Sequence, residues 1–215
     1  MKDILVLQDH RLAKTLRDWF GVDVTVVPAN RFLLDQDFDS IGLLVLSGTG
    51  SIRPEVYGGE PVTGQRYDTL GENQCISGCM MAKARGIPVL GVNRGAQLLC
   101  VANGGNIEQG AKGHSAIYHG VACLSALDSP ESDTPYHTEN RLIYAAPSDH
   151  TESILPEDTG HRLVGVSPEN DPEVVYWPDT QSLAILPQFD WMDHGAPFFL
   201  QCMEYIGDLM EGENV

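Results

Sequence analysis

Three short segments hold the residue types that could do chemistry. The first is Gly91-Val92-Asn93-Arg94-Gly95-Ala96-Gln97, which ends the apolar run Ile87–Val92 and leads straight into a helical pattern. A strand that enters a Gly-X-X-X-Gly turn and leaves as a helix is an elbow, and its central residue is forced into strained backbone at a helix N-terminus. Asparagine is among the few non-glycine types that accept positive φ, so Asn93 suits that centre. Its amide can donate and accept hydrogen bonds, but the nitrogen is delocalised into the carbonyl and is no nucleophile. The helix end offers free N–H groups and positive potential to an anion. The second segment, Gln188-Phe189-Asp190-Trp191-Met192, supplies a carboxylate. The third, Ser148-Asp149-His150, supplies a histidine and another carboxylate. Asp190, Asp149 and His150 together would make a polar cluster able to take a small amino acid, a nucleotide fragment or a metal. The plainer reading of His150 is an ordinary loop histidine. His10, His114, His119, His137, His161 and His194 show no ligand-like spacing among themselves, so no metal site and no cofactor are expected. Asp9-His10 follows the first apolar run and falls at the edge where doubly wound sheets bind ligands.

The elements that must position these residues follow from periodicity. Apolar runs at Ile4–Leu7, Val22–Val27, Ile41–Leu46 and Ile87–Val92 read as buried strands of a mostly parallel sheet. Helical patterns lie between them at Arg11–Phe20, Asn73–Arg85 and Arg94–Ala102. Such alternation implies right-handed crossovers and a doubly wound α/β fold with helices on the sheet. The second half differs. Short strand candidates at Gly120–Leu124, Leu142–Ala145, His161–Val166, Glu173–Trp177 and Ser182–Leu186 suggest a small antiparallel addition, and Phe198–Met210 reads as a closing amphipathic helix. Gly48–Gly71 and Ala126–Asn140 carry loop composition. Without an internal repeat or an interdomain linker, residues 1–215 read as one domain.

Composition excludes several classes of function. Thirty acidic residues against 13 basic ones leave a net charge of −17, a field that repels phosphate backbones and anionic membranes. Direct nucleic-acid binding and membrane binding are not expected. The charge either draws in a basic partner protein or only keeps the chain soluble. No run approaches the roughly 18 apolar residues of a membrane span. Met1–Leu7 is too short for a secretory signal and reads as the first strand of a cytoplasmic protein. Five cysteines form no disulfide framework, and Cys75 and Cys79, spaced to share a helix face, read as buried thiols.

The elbow resembles that of class I glutamine amidotransferases, in the γ-glutamyl-hydrolase branch, whose elbow reads Gly-Ile-Cys-Arg-Gly-X-Gln. Here it reads Gly-Val-Asn-Arg-Gly-Ala-Gln. The similarity reaches back to Leu43–Gly58, which resembles the branch's glycine-rich oxyanion segment with its Asp-Pro-X-X-Tyr-Gly tail, and forward through Asn103–Gln109 to Ser148-Asp149-His150, which looks like its Asn-Ser-X-His segment. Residues 41 to 192, about two thirds of the chain, align in order.

The resemblance implies a flavodoxin-like amidotransferase fold and a Cys-His-Glu site that attacks γ-glutamyl amides through a thiolate. It also implies that this site is lost here. The cysteine position is Asn93, the histidine position Asp190 and the acid position Met192, whose thioether cannot orient a base. Cys100 lies seven residues past the elbow, roughly 10 Å along a helix, and reads as core instead of a substitute. Other parts of the site remain. Gly48 and Gly50 match the oxyanion segment, though Ser47 replaces its usual proline, and Gly95 and Gln97 match the elbow helix, where the glutamine of relatives seats the glutamyl group. Arg94 matches the branch too, with an internal salt bridge as its structural alternative. Trp191, where the family has proline, either plugs the pocket or floors it. The expectation is a pseudoenzyme that binds a small amino-acid-like ligand or a separate protein partner. The alternative is an active hydrolase or transferase on a γ-glutamyl or related amide, using Asp190 and His150.

Overall fold

The computed structural model describes residues 2–29, 31, 36–48, 50–61, 67–110, 118–123, 143–148, 150, 152–157 and 159–211. Its elements in chain order are β1 (Asp3–Leu7), α1 (His10–Phe20), β2 (Val24–Val27), β3 (Ile41–Leu46), α2 (Pro54–Tyr57), α3 (Thr69–Lys83), β4 (Val89–Val92), α4 (Arg94–Ala102), β5 (Asn106–Gln109), β6 (Tyr118–Cys123), β7 (Ile143–Pro147), β8 (Glu152–Leu155), β9 (Arg162–Val166), β10 (Pro172–Trp177), β11 (Ser182–Ile185) and α5 (Pro197–Glu211).

Nine strands form one sheet in the order β2-β1-β3-β4-β11-β10-β9-β6-β7. The β2-β1-β3-β4-β11 half is parallel, and from β11 onward every pairing is antiparallel. The α/β expectation holds, with helices flanking a large sheet whose parallel part carries the elbow. β5 and β8 make a separate antiparallel pair. The sequence reading lacks these two strands, because Asn106–Gln109 and Glu152–Leu155 are only four residues each and half polar. The Gly48–Gly71 stretch is not loop throughout: it holds α2 and the first turn of α3. The Ala126–Asn140 segment, His114, His137 and Asp149 lie outside the described residues.

The central strands read as unbroken apolar runs because both of their faces are covered. In β1, Ile4 and Val6 point into a core shared with Leu12 and Leu16 of α1 and Phe198, Phe199, Met203 and Ile206 of α5. Leu5 and Leu7 point the other way, into a core with Cys75, Cys79 and Ala82 of α3 and Leu98 and Leu99 of α4. Leu90 and Val92 of β4 share the first core and Val89 the second. Among the described residues, no helix is long and apolar enough to cross a membrane.

All five cysteines are unpaired thiols, and burial pushes Cys75 and Cys100 up to about 12. Cys75, Cys79 and Cys100 are core residues as the sequence suggests, Cys202 is buried with them, and Cys123 packs half-buried against the core.

Leu90 is fully buried in the strand that delivers the elbow. Leu90→Ala is expected to cost about 2–5 kcal/mol. Urea unfolding checks this as a lowered midpoint with an unchanged slope.

Candidate functional site

The elbow forms where β4 ends and α4 begins. Asn93 takes φ 51° and ψ −117°, and it is the residue that bears the strain. The flanking glycines serve a different need from the one the sequence suggests. Neither has positive φ, but a Cβ on Gly95 would lie 2.0 Å from the Leu46 carbonyl oxygen, and one on Gly91 would lie 2.5 Å from the Gly95 carbonyl oxygen. The glycines let α4 press directly onto the ends of β3 and β4. The Asn93 N–H donates to the Ile185 carbonyl of β11 at 3.0 Å. Its side-chain Oδ1 turns back and accepts from the Arg94 N–H at 2.8 Å. The amide thus caps the helix whose N-terminus it occupies.

Arg94 is buried and points away from solvent. Its Nη2 donates to Gln8 Oε1 and to Asp68 Oδ2, both at 3.2 Å. Asp68 in turn caps α3 by accepting from the Gly71 N–H at 3.0 Å. Gln8, itself at φ 73°, donates to Gln74 Oε1 at 3.1 Å, and Gln74 donates to the Pro28 carbonyl at 2.8 Å. The guanidinium lies against Gly48, where a Cβ would meet Nη2 at 2.8 Å. The glycine-rich segment and α3 are therefore held to the elbow by one cation, which is the salt-bridge role weighed for Arg94. Gly50 has φ 84° and open space around its Cβ position. Gln97 is buried on α4, and its Nε2 donates to the Glu152 side chain at 3.3 Å.

Asp190 lies in the 3₁₀ turn Phe189–Trp191 after β11, the strand hydrogen-bonded to β4. Its carboxylate is 1% exposed and only weakly hydrogen-bonded, with Gln188 and its own backbone N–H as partial donors. The nearest cation is the Arg11 guanidinium, 3.8 Å away and 61% exposed. Burial, reinforced by repulsion from Asp9, pushes its pKa up to about 6. Asp9 is the carboxylate at the β1 edge that the sequence singles out. Its Oδ1 caps α1 at Arg11 and Leu12, and its Oδ2 accepts from Ser47 Oγ at 2.8 Å. Asp9 and Ser47 thus join Asp190 in one polar group, which no sequence spacing reveals because the three come from separate strand ends. His10 is exposed as the first residue of α1.

Two expectations change. His150 does not complete a cluster with Asp190. Its Nε2 faces Glu173 Oε2 at 3.7 Å, and its ring lies edge-on to His119. Trp191 is 45% exposed, with the Arg11 guanidinium 5.8 Å above its ring, so it is not packed into the interior as a plug. Met192 is half-buried against the core that α5 covers, where an apolar side chain fits and a carboxylate would not.

The profile of peptidase C26 matches residues 9–156, well over half of the chain. The chain belongs to the peptidase C26 family. No curated protein matches it. Solved structures share the peptidase C26 chain's fold at low identity. A candidate GMP synthase A subunit from Thermoplasma acidophilum superposes with a TM-score of 0.67 at 19% identity, covering 98% of this chain and 96% of the other. A glutamine amidotransferase from Thermotoga maritima gives 0.64 at 15% identity, covering 100% and 86%. The profile match begins earlier than the motif alignment, at Asp9, and ends at Pro156, before the β11 turn that holds Asp190 and Met192.

Because the folded state favours protonated Asp190, the native state binds a proton between pH 4 and 6 that the unfolded chain releases. Stability from this group is greatest near pH 4 and falls as pH rises through 6. Asp190→Asn is expected to stabilise the protein at pH 7.5 by on the order of 2 kcal/mol and to lose that advantage by pH 4. Unfolding midpoints of both proteins across that range check it.

Proposed function

We propose that this peptidase C26 protein has given up amide hydrolysis and uses the elbow pocket to bind a small amino-acid-like ligand or a separate protein partner. The observation that carries this reading is Asn93 at φ 51°, with its Oδ1 spent on the Arg94 N–H. The position where a nucleophile would stand is filled by a group with no nucleophilicity, folded back to cap its own helix. No thiol replaces it: Cys100 is buried on α4 with its pKa raised to about 12, so it is protonated at neutral pH. At the histidine position Asp190 is a weaker base than imidazole, and at the acid position Met192 packs half-buried against the core.

What remains suits binding. Asn93 takes the N–H groups of Arg94, Ala96 and Gln97, so α4 offers the positive end of its dipole more than free donors, while Gly48 and Gly50 keep positive φ and Arg94 lies against Gly48. A small zwitterion would find that positive potential and acceptors at Asp190 and Asp9.

One observation favours a second reading. A carboxyl group held near pKa 6, buried beside a second carboxylate, is tuned toward the range of a general base at neutral pH. In that reading Asp190 activates a water against a γ-glutamyl or related amide.

Incubation of the purified protein with glutamine, γ-glutamyl amides and γ-glutamyl peptides, followed by mass spectrometry of released glutamate, separates the two. No release above a buffer blank is expected, while at least one of these compounds raises the melting temperature. Turnover that disappears in Asp190→Ala would establish the second reading instead.

A further inference from the structure

A second polar site lies in the antiparallel half of the sheet. Glu173 is fully buried on β10, directly before the apolar run Val174–Trp177. An ionised carboxylate in such a place is strongly destabilising unless positive charge meets it. Two imidazoles converge on it from different elements. His119 of β6 brings Nε2 to 3.4 Å from Glu173 Oε1, and His150, just before β8, brings Nε2 to 3.7 Å from Oε2. One ligand atom from each residue lies within 4.8 Å of the other two.

The other ring nitrogens decide what faces inward. His119 Nδ1 is 2.9 Å from the Gly120 carbonyl oxygen, and His150 Nδ1 is 3.1 Å from that of Glu152. A carbonyl oxygen only accepts, so both Nδ1 atoms carry hydrogen. With hydrogen on both Nδ1 atoms, each Nε2 is the ring nitrogen turned toward the carboxylate. Two such nitrogens and a carboxylate converging on one point form a donor set suited to a cation. Backbone carbonyls that fix the tautomer through Nδ1–H are the outer support that metal-binding histidines use. The separations fit as well. Around a tetrahedral ion with ligands at about 2.1 Å, neighbouring donor atoms sit about 3.4 Å apart.

We propose that His119, His150 and Glu173 form a binding site for one divalent transition-metal ion of the zinc class. Two imidazoles and one carboxylate match the nitrogen-oxygen preference of that class, and three protein ligands leave one coordination position open. Its three ligands are distinct from the elbow residues, although Glu152, whose carbonyl faces His150 Nδ1, also receives Gln97 of α4. Its residues lie 31 and 23 positions apart (150 − 119 and 173 − 150), which is why spacing in the chain gives no hint of it.

The test uses the full chain, stripped with a chelator, then loaded with Co²⁺ or Zn²⁺ both in the native state and during refolding from urea. One equivalent is expected to bind by elemental analysis, with visible Co²⁺ bands of nitrogen-oxygen coordination and no thiolate charge-transfer band. Zn²⁺ should raise the melting temperature of the wild type, whereas His150→Ala and Glu173→Gln, checked for native circular dichroism, should bind at least tenfold more weakly. Absence of stoichiometric binding under both loading conditions would overturn the proposal. So would a thiolate band from the cysteines, or equal binding by the folded variants. If the variants do not fold, the wild-type stoichiometry and Co²⁺ spectrum decide alone.

Discussion

The close approach of α4 to the end of β3 is the constraint on which the site depends. With Gly95 against the Leu46 carbonyl there is no room for any side chain, and the helix can start only where β4 stops. That leaves one residue to turn the chain through positive φ, and the sequence puts an asparagine there. The bracing is mutual. The Asn93 N–H is held by β11, its carbonyl receives the Ala96 N–H, and its side chain caps Arg94. A strained backbone persists when its surroundings over-determine it, and here strand, helix and side chain all do.

Around this joint the protein buries charge in two different ways. Arg94 and Asp68, like Arg53 and Glu72, form hydrogen-bonded pairs, with Arg53 Nε 2.6 Å from Glu72 Oε2 and the Arg53 N–H on its other oxygen. The first pair ties α4 to the start of α3, and the second ties the segment after β3 to α3. Asp190 is different: its nearest cation is long and mostly exposed, so desolvation outweighs attraction and the carboxyl drifts toward neutrality. Paired charges here hold the frame together, whereas the weakly paired one sits just past β11, within the field of Asp9.

Much of the frame was legible in the sequence. The apolar runs that became β1, β3 and β4 are buried on both sides, so hydrophobicity alone marks them, and the Gly-X-X-X-Gly turn marks the elbow. The positive φ of Asn93 followed from residue type. What stayed hidden depends on long-range placement. Ser47 meets Asp9 across adjacent strand ends, and His119 meets Glu173 across antiparallel strands, pairings that no local pattern encodes. The sequence groups His150 with Asp190 because both are polar and near the amidotransferase-like motifs, but its ring faces Glu173 in the antiparallel half. The short pair β5 and β8 escaped because four half-polar residues carry no periodic signal.

The order of the strands also sets when the elbow can exist. β4 pairs with β11, so Leu90 lies beside Leu183, a separation of 93 residues (183 − 90), and the carbonyl that receives the Asn93 N–H belongs to Ile185. Loops that long make late, slowly closing contacts. On a growing chain the half from β1 to β4 can assemble early, yet β4 stays unpaired on one side until β11 has been made. During synthesis the last strand of the chain is thus what finishes the parallel half, and the turn at Asn93 is among the last features to become rigid.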